Sequence, residues 1–579
     1  MTIGLVSAGH ARAAIRYKTE FVGVEGSLAT AIEDASLLVS LRKHNPASFA
    51  ALRDRTHRDL VRLKTVLESE GYYDAALDET IDRTAEPFHV TVTIKPGPRY
   101  VFAPAMIVPA AGGNVPADWN ATEAASHGLV TRAPARADTI LNTETAIIDA
   151  RHQSGWPFAR ITDRKVVVDT ATKRLTVTYT LDPGPSCRFG RVTIAGLDHL
   201  NSSYVRRRVL WAEGDVYDQR MVDKTRRELI SSSLFSVVAI TPERPTMPGQ
   251  PADMIIKVKE RVPRSVTFGG GYDTSEGLET SASWEHRNLF GGAQDVKTEA
   301  TAGQSKNAVS VDYRRPDFWA INQDLVASVG FDNEILDAFH TIAQQVSLGF
   351  DWRLRQTLEF QASIMADHAR INEITDSRTY TLVGLPLVLK WDNSDDPLNP
   401  TEGYRLNLTG TPYLGALGSQ LTFFQMEATG TTYRKLDRDA AYVLAAQTTI
   451  GTTAGASLNA IPKDHRLYAG GGGSVRGFAF EKAGPQDIYS NAIGGRSLFE
   501  TSLELRIRLS ERVGLVPFFD AGSDYSSSVP DLSSLYEGAG LGVRYYSAIG
   551  PIRLDLATPF NPHRSDSPIQ VYVGLGQAF

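Results

Sequence analysis

Beyond Arg264 the chain alternates apolar and polar residues in short runs, and this pattern restricts it to sheet structure. In Phe499–Leu509 every odd position is apolar or threonine, while Glu500, Ser502, Glu504, Arg506 and Arg508 occupy the even ones. Successive side chains of a strand point to opposite faces, so one face here meets an apolar surrounding and the other a polar one. Tyr404–Thr409 and Ile552–Leu556 repeat the pattern, and Ile569, Val571, Val573, Leu575 and Phe579 share one face of the last run. About sixteen such runs lie between 264 and 579, separated by Gly, Asn, Asp, Ser and Pro. Mean hydropathy is only −0.20. No stretch approaches the roughly 20 apolar residues of a membrane helix. Only helices and closed barrels satisfy their backbones in lipid. Alternation also hides a barrel's hydrophobicity from any average. The expectation is therefore a sixteen-stranded antiparallel transmembrane β-barrel over 264–579. A soluble sandwich or propeller alternates as well. The many charges on the inner phase suit a wet lumen better than a packed core, and the chain ends on an aromatic, Phe579, in its last strand.

The first 263 residues have a different grammar. Thr93–Phe102, with Pro96-Gly97-Pro98 at its centre, recurs as Thr180–Phe189 around Pro183-Gly184-Pro185, and Lys257–Pro263 is a degenerate third copy. Repetition on this scale marks an array of small domains. In the first unit Leu52, Leu60, Leu63 and Leu67 form a helix-period stripe, stopped at Gly71-Tyr72-Tyr73, with strands over 77–81 and 88–94. In the second, 140–154 is the helix, Gly155-Trp156 the stop, and 166–168 and 175–181 the strands. In the third, 192–196 is a strand, 220–231 a helix, and Leu234-Phe235 opens the next strand. The boundaries fall at about 15–101, 102–187 and 188–263. The middle unit contains an Ala-, Pro- and Gly-rich stretch, 104–134, with no clear pattern.

Two fragments carry chemistry. Gly471-Gly472-Gly473-Ser474-Val475-Arg476-Gly477-Phe478 reads as a tight loop tip presenting Arg476. Phe518-Phe519-Asp520-Ala521-Gly522 ends an apolar run on a carboxylate. Arg476 and Asp520 are candidate partners for a buried ion pair inside something hollow. A third feature is glycine in the strands that must close the barrel. The first contains Phe268-Gly269-Gly270-Gly271 and the last Val573-Gly574-Leu575-Gly576. Glycine weakens a strand, having no side chain to pack and more entropy to lose. A seam between two such strands is one that can open.

The VRGF tip and the F-x-D-x-G strand together resemble the BamA/TamA superfamily of outer-membrane assembly barrels, and the three repeats resemble its POTRA domains. Asp395–Tyr404 looks like that family's hairpin ahead of a strand, and Arg287–Gly292 like its first external turn. Three POTRA-like units before about sixteen strands are similar to the TamA branch, where BamA types usually carry five and two-partner secretion transporters two. The resemblance implies tandem α+β POTRA domains in the periplasm, followed by the barrel, in a Gram-negative outer membrane. It implies a lumen latch of Val475, Arg476, Gly477, Phe478, Phe518, Asp520 and Gly522. It also implies a lateral seam of Phe268, Gly269, Gly270, Gly271, Val573, Gly574, Leu575, Gly576 and Phe579. Its implied partners are a TamB-like periplasm-spanning inner-membrane protein, unfolded outer-membrane clients such as autotransporters, and outer-membrane lipids. The implied function is insertion of clients through the seam; a secretion pore of the two-partner type, or a BamA-like general assembly barrel, is the alternative.

Other classes find less support. Net charge is −6, which offers no basic footprint for nucleic acid. No nucleophile elbow, zinc-type histidine spacing or phosphate loop is present, so neither an enzyme nor a metal or cofactor is expected. The single cysteine, Cys187, rules out an intrachain disulfide and reads as a small buried hydrophobe. Ala11-Arg12-Ala13 has the form of a signal cleavage site, which makes 1–14 a signal remnant or a disordered terminus.

Overall fold

The computed structural model describes residues 15–84, 86–110, 121–247, 249–274, 276–336, 339–373, 376–548, 550–564 and 566–579. The signal remnant expected over 1–14 lies outside the described residues, as does part of the 104–134 stretch. The chain divides into two compact units. One comprises Met1–Ala195, Val209–Glu228 and Val238–Lys257; the other comprises Gly196–Arg208, Leu229–Val237 and Val258–Phe579.

Before the barrel the described residues form three small sheets, each with helices from its own stretch of chain. In the first, Phe88–Lys95 lies between Tyr17–Val22, which it pairs in parallel, and Ala76–Asp82, which runs antiparallel. Helix Phe49–Ser69 covers it with Leu52, Leu63 and Leu67, all fully buried. Ser48 caps the helix, its hydroxyl accepting from Ala51 N–H at 3.2 Å. Asp59, on the same buried face, accepts from Ser36 Oγ and Leu37 N–H at 2.6 Å and so pins the short helix Leu37–Ser40. The second sheet is built on Arg174–Asp182, with Val101–Phe102 and Met106–Pro109 parallel to it and Arg160–Asp169 antiparallel; the third is built on Ala252–Glu260, with Phe189–Ala195 parallel on one side and Phe235–Pro242 on the other. The repeated Pro-Gly-Pro turns have a common cause. Gly97 and Gly184 adopt φ of +71° and +63°. A Cβ there would lie 3.3 Å from Asp74 Cβ and 2.9 Å from Phe158 Cβ, the residues just beyond each helix stop. Asp74 also takes Lys173 Nζ at 2.7 Å, and that hydrogen bond holds its carboxyl below the usual range. Cys187 is buried, and burial pushes its thiol up.

The remainder is a closed antiparallel barrel from Arg264–Asp273 to Gln570–Leu575. Seventeen segments make sixteen staves, because Ser377–Gly384 and Leu387–Asp392 are one strand broken at Leu385-Pro386. Both parts pair with Leu358–Asn372 on one side and Gly403–Gly415 on the other. Proline has no N–H to give the ladder, which accounts for the break. Lipid-facing residues such as Leu503, Val309 and Leu554 are exposed, while Glu504, Arg506, Asp520 and Asp555 on the opposite phase are buried. Among the described residues no helix is long and apolar enough to cross a membrane.

Strand parity corrects one expectation. Arg287–Gly292 is not an external turn: it follows the second strand and so lies at the end where the barrel begins. There Arg287 N–H donates to Pro263 O at 2.8 Å, and Asn201 N–H donates to Gly291 O at 2.8 Å. Nearby, Arg208 meets Asp317 at 2.5 Å with both side chains buried, and stacks on Tyr204 at 3.8 Å.

Candidate functional site

The loop between Tyr442–Ala454 and Ser497–Arg508 carries the tip Val475–Phe478 into the barrel, where Val475 and Phe478 are fully buried and Arg476 is 1% exposed. Gly477, at φ +112°, makes the turn, and a Cβ on it would crowd Thr558 C at 3.0 Å.

Around Arg476 the wall supplies three carboxylates from three strands. Nε and Nη2 donate to the two oxygens of Asp520 at 2.7 and 2.9 Å, and the backbone N–H adds a third bond at 3.0 Å. Nη1 reaches Glu504 at 2.8 Å and Asp555 at 3.3 Å. The guanidinium carbon lies 3.5 Å from the Phe518 ring centroid. A planar guanidinium offers the bidentate fork and stacks flat on the ring, where an ammonium is a point charge without that fork. Glu504 also accepts from Arg506 Nε at 3.0 Å, and Asp555 pairs with Arg544. Three cations therefore balance three anions. A buried charge is tolerable only when paired and hydrogen-bonded in this way.

Backbone packing seals the contact. A Cβ on Gly522 would lie 2.7 Å from Phe499 O, and one on Gly538 would lie 2.1 Å from Arg476 O. Phe478 stands edge-on to Tyr536 at 5.4 Å. Tyr572, on the last strand, accepts from Gly477 N–H at 3.3 Å and donates to Phe478 O at 3.0 Å.

The same loop is fastened a second time on the far wall. His465 lies 2.9 Å from Asp367 and edge-on to Tyr380, Tyr413 and Phe423, and Tyr380 OH donates to Asp464 at 2.5 Å. The loop thus spans the lumen.

Among the described residues the first and last strands pair at Tyr272↔Val573 and Asp273↔Tyr572, with Thr274 N–H adding a bond to Val571 O at 3.2 Å. Tyr572 therefore belongs both to the seam and to the loop contact. Phe268 is 79% exposed. Phe268, Gly269, Gly270 and Gly271 pair with the second strand but not with the last one. A Cβ at Gly270 or Gly271 would meet nothing closer than 3.4 Å, so those glycines are not demanded by space. Gly574 and Leu575 pair with the preceding strand, and Gly576 turns at φ +93°.

Phe579 requires a correction. It is neither in the last strand, which ends at Leu575, nor on the face of Val571 and Val573. The turn at Gly576 sends the chain inward. Gln577 bridges Arg544 at 2.9 Å and Asn399 at 2.8 Å, and Phe579 O accepts from Arg506 Nη2 at 2.8 Å. These polar contacts hold the tail away from the sheet edge.

The motifs alone do not point to Glu504, Asp555, Arg544, Gly538 or Tyr572. The available signal is phase: the first two lie on the charged phase of Phe499–Leu509 and Ile552–Leu556. Among the described residues no cluster of His, Cys, Asp and Glu is arranged to hold a metal ion.

Fold and interior together define a sixteen-stranded outer-membrane barrel preceded by periplasmic α+β modules. The Omp85 superfamily domain matches residues 288–579, just over half of the chain, and the protein belongs to that superfamily. It is 22% identical over 553 residues to the outer membrane protein assembly factor BamA of Neorickettsia risticii, covering 91% of this chain and 73% of the relative. Its likeness to BamA of Nitratidesulfovibrio vulgaris is 24% over 444 residues, covering 74% of this chain and 55% of the relative. The chain therefore spans between about half and three quarters of these relatives' lengths. In fold it is similar to the crystal structure of BamA from Haemophilus ducreyi lacking POTRA domains 1–3. The TM-score there is 0.69 at 20% identity, covering 82% of this chain and all of the other.

Proposed function

We propose that the protein assembles outer-membrane β-barrel chains, offering the unpaired edge of its first strand to an incoming client strand. The observation that carries this reading is the seam. Among the described residues, two residue pairs and their flanking bonds hold it, and the edge from Arg264 to Gly271 has no partner strand on that side. A row of free N–H and C=O groups at membrane depth is costly unless something pairs with it. A client strand adding there would never expose an unsatisfied backbone to lipid. The Arg476 loop acts as a brace: it ties the wall at Asp520, Glu504 and Asp555 to the last strand through Tyr572, so seam geometry and loop position move together.

Clients of this reading are unfolded outer-membrane proteins, autotransporters among them, with outer-membrane lipids as the medium they enter. A TamA-type role, with a TamB-like partner on the module over 15–101, is the finer reading, and the three modules ahead of the barrel support it. The test is the folding rate of an unrelated urea-denatured outer-membrane barrel into liposomes. Acceleration with the protein embedded, lost in Arg476→Ala, is expected. No acceleration together with a conductance wide enough for an unfolded chain would replace this reading with a secretion pore.

A further inference from the structure

We propose that Arg553 is a receptor for a carboxylate carried by the client strand; this rests on the assembly reading and names what its seam selects. Arg553 sits on the penultimate strand, Gly550–Pro559, on the inward phase, since Ile552 and Leu554 beside it face outward and are 42% exposed. Across the ladder it faces Arg544 on one side and Gly574 on the other. Arg544 is engaged by Asp555 and Gln577, and the three carboxylates of the lumen cluster are already shared by Arg476, Arg506 and Arg544. Arg553 is the fourth guanidinium beside a balanced set of three and three. Its Nε and Nη1 are shielded from solvent and have no hydrogen-bond partner among the described residues. A buried donor left unmade costs free energy, and more so when charged. Such a group persists where a transient partner supplies what the resting fold does not.

The position identifies that partner. Arg553 lines a cavity of about 850 Å³ together with Gly270, Gly271 and Gly574, the bare backbone of both seam strands. A Cβ on Gly574 would stand 3.2 Å from Arg553 Nε, so the absent side chain opens the guanidinium toward the seam. Strands lie about 4.8 Å apart, so a strand inserted beside the last one would be roughly 10 Å from that of Arg553. An arginine and a glutamate side chain together cover that span across an intervening glycine. The cavity is also lined by Asp273, Glu276, Glu279, Glu427, Glu481 and Glu500. An anionic lipid headgroup would add its full charge to these carboxylates. A polypeptide brings one carboxylate to Arg553 and amide N–H donors to the rest, so the chemistry favours a peptide.

The test uses the full-length protein in nanodiscs of zwitterionic lipid. It is titrated with an end-blocked eleven-residue peptide of alternating valine and threonine carrying one central glutamate, and with the glutamine counterpart. The glutamate peptide is expected to bind about tenfold more tightly to the wild type. In Arg553→Gln that preference disappears while the unfolding midpoint stays level or rises, because neither Nε nor Nη1 gives up a native hydrogen bond among the described residues. A residue with a purely structural role would show the reverse. Equal binding of the two peptides to the wild type, or a preference that survives in Arg553→Gln, overturns the proposal. Displacement of the glutamate peptide by short-chain phosphatidylglycerol also overturns it, assigning the cation to lipid. Because peptide binding is read without any folding assay, a preference for glutamate in a protein that accelerates no client would keep this inference and discard the assembly reading.

Discussion

Arg476 concentrates the chemistry of the lumen in one side chain. Its substitution by alanine leaves Asp520, Glu504 and Asp555 buried beside one another with a cation removed. The expected cost is roughly 3–5 kcal/mol, read as a lowered denaturant midpoint of the barrel. Arg476→Lys is expected to recover only part of it, because an ammonium cannot make the two-point fork on Asp520. Tyr572→Phe removes one hydroxyl that serves both Gly477 and Phe478, for about 1–2 kcal/mol. If loop and seam move together, that variant should also raise hydrogen exchange at Tyr272 and Asp273; exchange changed only in the loop would separate the two. At this scale the sequence offers Arg476 and Asp520 as candidate partners, because a glycine-flanked cation and a carboxylate ending an apolar run both need a counter-charge. It does not offer Glu504, Asp555 or Tyr572, which sit in ordinary-looking strands and become neighbours only when the sheet closes.

Among the elements, the first barrel strand is the one whose composition and pairing point the same way. Gly270 and Gly271 have room for a Cβ, the nearest atom being 3.4 Å away, so Gly270→Val and Gly271→Val start without a Cβ clash and favour extended backbone by up to about 1 kcal/mol each. A stiffer edge gives a client less freedom to find its register. The expected result is a several-fold slower client folding rate with the host barrel's own stability unchanged or raised. Unaltered client rates would show that the glycines do not set the edge's function. Gly269→Val is the control that should fail differently, since its Cβ would lie 2.5 Å from Ser281 Oγ. Alternation makes the strands legible, among them Phe499–Arg508, Tyr404–Thr409 and Ile552–Leu556, each of which lies in a barrel strand. The inward turn at Gly576 was not legible: the residues after it alternate well enough to continue the strand, and only Arg506, Arg544 and Asn399, distant in sequence, draw them away.

For the whole molecule, the repeated Pro-Gly-Pro turns and the switch from helical to strand period at Arg264 made the tandem α+β and barrel architecture readable, because both are local signals summed over long stretches. Which side of the membrane a turn occupies is set by strand parity, a global count, and for that reason Arg287–Gly292 was misplaced. The central claim is also global: the barrel works by parting its first and last strands. It is tested most directly by Tyr272→Cys with Val573→Cys, two residues opposite each other in the seam, in a chain whose only native cysteine is buried. The measurement is the folding rate of a denatured outer-membrane barrel into liposomes containing this protein, oxidised and then reduced. Loss of acceleration in the oxidised form and its return on reduction is the predicted result. Full acceleration with the disulfide closed would contradict the account.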